Sequence, residues 1–298
     1  MSLRRTSSDE LIDNVEAAVR WAGMPNTRVK PLLQHLCGAL ARRHRRPARD
    51  TILIIEASTI ADVHFLWDSR HADYEGLLPK VKASVVSGPE LPDDEVKGKA
   101  HSGARNDRFV YFLAGCLLQG GASIPSVDGI ARRRHRQASL ADIVIEWNQR
   151  QVPIECKRPF DLSTLVSNIK RAGKDIRNHS REKGVVAVDC SRLVRPKDSV
   201  PIRFGEEDAL SAVERRLDRL VTEHILKRPS RHMTGVLAFA RVPTFLFTGV
   251  SPVLTLSGEP HLHALSVTAD SWMTRKREGV ENADVVDAIA SALKWVEG

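Results

Sequence analysis

Residues 141 to 157 read ADIVIEW, then NQRQ, then VPIECK: two apolar runs flank a connection too short for anything but a tight turn. Strands joined this closely pair antiparallel. With an even loop, either residues 148–149 or residues 147–150, Asp142 falls opposite Glu155. Side chains alternate between the faces of a strand, so Ala141, Ile143, Ile145, Ile154 and Cys156 turn toward a core. Asp142, Glu155 and Lys157 then share the opposite face.

The surrounding periodicity makes the chain α/β. Leu11, Val15, Ala18 and Val19, then Leu32, Leu33, Leu36 and Leu40, recur at three and four, which predicts amphipathic helices over 8–22 and 29–45. The run TILIIEASTIADVHFLW is read as a helix, although Ile52 and its apolar neighbours to Ile55 would also suit a buried strand. SGPELPDDEVKGKAHSG, residues 87–103, is the best linker. It divides a mainly helical region, 1–100, from an α/β domain, 101–298. In the second part the expected order is helix 106–119, strands 123–130, 141–147 and 152–157, helix 162–179 and strand 184–190. A charged helix over 206–226, strands near 235–240 and 263–268, and a helix over 283–296 complete the reading.

The 298 residues are 42% hydrophobic, enough for a sizeable core, and 45 Lys and Arg against 37 Asp and Glu give a formal charge of +8. That balance favours polyanions such as nucleic acid. Cys37, Cys116, Cys156 and Cys190 are widely spaced without a CxxC pair, which fits a reducing cytoplasm better than a zinc site or disulfide framework. MSLRRTSSDELIDNV has no apolar run behind its basic residues, so it does not read as a secretory signal. The least charged stretch, 242–258, is interrupted by Pro243, Gly249 and Pro252, so no membrane span is expected. A Walker loop, a GxGxxG turn and a GxSxG elbow are all missing from the sequence.

Two carboxylates held a few ångströms apart suit Mg²⁺ or Mn²⁺ bound together with a phosphate, and a nearby ammonium can orient water and offset charge on the phosphorane. The plainer reading of the same residues is a solvated strand edge with cross-strand ion pairs.

ADIVI followed by IECK in an αβββαβ context resembles the PD-(D/E)XK nuclease superfamily over about residues 105–190, with Ala141 where that motif carries proline. The resemblance implies a restriction-endonuclease-like core with a mixed central sheet, Asp142, Glu155 and Lys157 as catalytic residues, and Asp142 and Glu155 as metal ligands. It adds the Cys156 backbone carbonyl as a further ligand, while the Cys156 side chain packs inward. Asp107 is a candidate additional acid from the preceding helix, or a cap of that helix. Arg132, Arg133, Arg134 and Arg136 precede Asp142, and Arg158, Lys170 and Lys174 follow the motif; all are candidate phosphate contacts. His101, His135 and His179 read as surface residues. The implied partner is nucleic acid, DNA before RNA because most of the superfamily acts on DNA, with a homo-oligomer left open. The rival expectation is a nuclease-like module that binds nucleic acid or protein without cutting.

Overall fold

The computed structural model describes residues 2–5, 8–23, 29–41, 48–69, 74, 76–87, 102–131, 141–179, 182–195, 202–203, 206–227, 230–254, 260–277 and 283–293. In chain order the elements are β1 (Ser2–Arg5), α1 (Ser8–Ala22), α2 (Val29–Ala41), α3 (Ala48–Trp67), α4 (Leu77–Ser87) and α5 (Ser102–Gln119). Then follow β2 (Ser126–Val127), β3 (Ile130–Ala131), β4 (Ile143–Trp147), β5 (Arg150–Lys157), α6 (Leu162–His179), β6 (Gly184–Asp189), α7 (Ser191–Val194) and β7 (Ile202–Arg203). The chain continues through α8 (Glu206–Leu220), a π-helical turn (Val221–Ile225), β8 (Met233–Leu254), β9 (Pro260–Lys276) and α9 (Val285–Leu293).

Among the described residues one mixed sheet of nine strands runs β1-β9-β8-β6-β5-β4-β2-β3, with β7 beside β8. β4 and β5 are antiparallel, whereas β5 pairs with β6, and β6 with β8, in parallel. A parallel pair needs a crossover, and α6 supplies it between β5 and β6. Strand alternation sorts the apolar residues into two layers. Ile143, Ile145, Ile154, Cys156, Val185 and Ala187 join the N-terminal helices, α5 and α9 in one buried cluster. Val186 and Val188 pack on the other face with α6, α8 and the π-helical turn. The N-terminal helices therefore share the core of the sheet.

α3 explains the ambiguity of its own sequence. Ile52, Leu53, Ile54, Ile55, Ala57, Ile60, Ala61 and Val63 are all buried, and so are Glu56, Thr59 and Asp62. A helix surrounded by protein has no polar stripe to reveal its period.

Three expectations are corrected. Residues 123–130 do not form a single strand: Asp128 and Gly129, at φ 48° and 72°, make a two-residue turn between β2 and β3. VDGI carries that signal, because consecutive positive φ values favour Asp-Gly. α5 begins at Ser102, inside the expected linker, of which residues 88–101 lie outside those described. β8 and β9 are far longer than the strands expected near 235–240 and 263–268, since they pair with each other along most of their length.

α6 is placed at its N-terminus, along its buried side and by a close approach at Gly173. Asp161 begins it, accepting from the Thr164 N–H at 2.7 Å and from the Ser163 hydroxyl, and these donors hold its carboxyl below the ordinary range. Leu165, Ile169, Ala172 and Ile176 fix its rotation against the second core. Gly173 permits close approach to the loop before β8: a Cβ there would lie 2.3 Å from both the Cβ and the Oγ of Ser230. Gly173→Ala should therefore displace the helix and lower the thermal midpoint, and Ser230→Gly added to it should recover most of the loss. An unchanged midpoint in the single variant would show that the contact is not tight.

Candidate active site

The hairpin register places the acids as the strand pattern expects. Ile143 stands opposite Ile154, which carries Asp142, one residue earlier, opposite Glu155. Asn148 and Gln149 form the turn at φ 49° and 62°. This is the two-residue alternative, and its backbone twist matches that of the strands it joins. The Cys156 N–H donates to Asp142 Oδ2 at 2.7 Å, fixing that carboxylate against the edge of β5. Cys156 itself is buried in the core.

Lys157 lies among three acids. Its Nζ is 3.1 Å from Glu155 Oε2, 3.5 Å from Asp175 Oδ2 and 4.0 Å from Asp142 Oδ2. Burial alone would lower its pKa, but the charges of Asp142, Glu155 and Asp175 outweigh that and raise it, so Lys157 is an ammonium group. Asp142 responds in the opposite sense. Burial, and then the charge of Glu155, push its carboxyl up to about 7, partly offset by Lys157 and the Cys156 N–H.

Among the described residues this is an excess of negative charge in a confined place, where a divalent cation would relieve it. The donor set fits Mg²⁺ or Mn²⁺: hard carboxylate oxygens of Asp142 and Glu155, with the peptide of Cys156 alongside. Among the described residues no group of three or more His, Cys, Asp or Glu side chains is arranged to hold an ion. A cation here would complete its shell with water and substrate oxygens, as Mg²⁺ commonly does.

The raised pKa has a consequence for stability. A carboxyl that binds its proton more tightly in the folded than in the unfolded chain costs stability progressively as pH rises from about 4 to about 7, and fully above that. Asp142→Asn removes this penalty while its amide oxygen can still accept from Cys156. Urea unfolding without divalent ions should find the variant more stable than wild type at pH 8, by up to a few kcal/mol. The gain should shrink by pH 5; a variant no more stable at pH 8 would refute the assignment.

The structure brings other predicted residues to different places. Asp107 is exposed and lies five residues inside α5, so it does not cap that helix. It lines a cleft of about 380 Å³ with Lys80, Ser84, Ser87, Tyr111 and Asp128. Burial, and then the charge of Asp128, raise its pKa. Tyr111 ties this cleft to the hairpin, because its hydroxyl donates to Asp128 Oδ2 at 3.0 Å and the Asp128 N–H donates to the Asp142 carbonyl at 2.7 Å. Lys80 Nζ is 2.8 Å from the same Asp128 oxygen.

Arg158 is corrected from a phosphate contact to a buried ion-pair residue. Its guanidinium meets Glu56 Oε1 at 2.8 Å and Asp189 Oδ2 at 2.7 Å. Strand alternation explains this, since Arg158 follows Lys157 and turns toward the opposite, helix-covered face. Lys170 and Lys174 are exposed and four apart on α6, so they share a face. Arg132, Arg133, Arg134 and Arg136 lie outside the described residues.

Sequence reading missed Asp128, Asp175 and His179. His179, expected on the surface, is only 23% exposed and holds its Nδ1 3.2 Å from Glu155 Oε1. The one available signal was the i,i+4 spacing of Asp175 and His179 on an amphipathic helix, which places them on one face but does not say what they meet. Compared with protein-family models, curated proteins and solved structures, the chain finds no match.

Proposed function

We propose that this chain is a metal-dependent nuclease of the PD-(D/E)XK type, hydrolysing phosphodiester bonds in nucleic acid, DNA before RNA. The observation that carries the reading is the convergence of Asp142, Glu155 and Lys157 on one face of neighbouring antiparallel strands, with Lys157 Nζ within 4.0 Å of both carboxylates. Asp142, Glu155 and the Cys156 carbonyl would hold Mg²⁺ or Mn²⁺. The bound cation would polarise the phosphodiester and lower the pKa of an attacking water.

The chain's own side chains then have distinct tasks. Lys157, positively charged and fixed by its acidic neighbours, orients water and offsets charge developing on the phosphoryl oxygens. Lys170 and Lys174 offer exposed cationic contacts to the phosphate backbone from one face of α6. Such contacts position a strand without reading its bases.

Incubation of the purified chain with plasmid and with labelled single- and double-stranded oligonucleotides tests this. Products are expected with Mg²⁺ or Mn²⁺, and none with EDTA. Salt-sensitive DNA binding without cleavage under any divalent ion would instead favour the rival, a nuclease-like binding module.

A further inference from the structure

The best-supported feature beyond the hairpin is the pair of side chains that α6 lowers onto it. Asp175 and His179 stand four residues apart and flank Ile176, which is buried against the second core. Each is 23% exposed. Asp175 Oδ2 lies 3.5 Å from Lys157 Nζ, and His179 Nδ1 lies 3.2 Å from Glu155 Oε1. Each residue therefore meets a different member of the Glu155–Lys157 pair.

The contacts have a definite chemical sense. An ionised carboxylate only accepts hydrogen bonds, so the short contact to Glu155 requires His179 Nδ1 to carry the proton. With Oε1 engaged by His179 and Oε2 by Lys157, the Glu155 carboxylate has a fixed plane and a fixed rotamer. Asp175 shares the Lys157 ammonium with Glu155, at 3.5 Å against 3.1 Å, so its donors are divided among acids on two elements.

We infer that Asp175 and His179 are positioning residues of this site: His179 orients Glu155 as a ligand for a divalent cation, and Asp175 orients the Lys157 ammonium beside it. The inference rests on the metal-dependent reading above. It assigns the two residues different signatures. Loss of the His179 contact weakens cation binding, whereas loss of the Asp175 charge slows turnover with little effect on substrate affinity. Groups that orient metal ligands commonly contribute 10- to 100-fold in affinity.

The test uses the full chain and Mn²⁺ itself, followed by calorimetry or by the loss of the free-ion paramagnetic resonance signal. His179→Ala should weaken Mn²⁺ binding by about tenfold or more. His179→Asn, whose amide N–H can take the place of Nδ1–H, should restore binding to within a few fold. Asp175→Asn should lower kcat on an oligonucleotide while leaving KM near that of wild type. Thermal unfolding of each variant checks that the fold is kept.

Wild-type Mn²⁺ affinity in a folded His179→Ala chain would overturn the clamp while leaving the nuclease reading intact. Equal weakening by His179→Ala and His179→Asn would also overturn it, since a bond to Glu155 would then not be the cause. A wild-type chain that neither binds Mn²⁺ nor cuts would overturn the underlying reading, and the clamp with it.

Discussion

Lys157→Ala and Glu155→Gln should each abolish metal-dependent cleavage while the chain stays folded and keeps most of its affinity for DNA. Among the described residues Lys157 Nζ is the cationic group nearest both carboxylates, at 3.1 Å from Glu155 and 4.0 Å from Asp142. Its removal leaves attacking water and developing phosphoryl charge poorly stabilised. Loss of one preorganised donor of this kind typically costs a factor of about 10² to 10³ in rate. Glu155→Gln keeps shape but removes an anionic ligand, so cation occupancy should fall as well as rate. DNA affinity should persist because exposed cations such as Lys170 and Lys174 are untouched, and a salt titration of binding would check this. A folded Lys157→Ala chain cutting at the wild-type rate would move the activity elsewhere in the molecule.

The carboxylates of the site were legible because they depend on local rules. A short connection fixes the hairpin, the period of two fixes the parity, and together they set Asp142 against Glu155 before any coordinates are known. Helix 162–179 was equally readable, its apolar residues recurring where the second core lies.

What escaped reading depends on contacts far apart in sequence. His179 and Glu155 are 24 residues apart and Arg158 and Glu56 102, and nothing local to either partner announces the other. β1 is a similar case: SLRR carries no strand pattern and becomes a strand by pairing with residues 267–270 of β9. Asp128 is intermediate, since its Asp-Gly turn could be read, but its bond to the Asp142 carbonyl could not.

The remaining large effect is expected at Glu56, far from the chemistry. This carboxylate is fully buried in α3 and bonds two guanidiniums, Arg108 Nη2 at 2.6 Å and Arg158 Nη2 at 2.8 Å. Arg158 is bound in turn to Asp189 at the end of β6, and it directly follows Lys157. Glu56 thus ties the N-terminal helices to the strand ends that carry the site. Glu56→Ala would leave two buried cations to share too little negative charge and would open a space that solvent reaches poorly. Breaking a buried ion pair from one side costs about 3–5 kcal/mol. Since whole domains are stable by only about 5–15 kcal/mol, the variant should lose a large share of its stability. Glu56→Gln, which keeps a hydrogen-bond acceptor, should lose less. Chemical unfolding of the three chains, followed by circular dichroism, should rank them wild type, Gln, Ala. A Glu56→Ala chain within about 1 kcal/mol of wild type would mean that the two arginines find other partners and that α3 is not the anchor of the site.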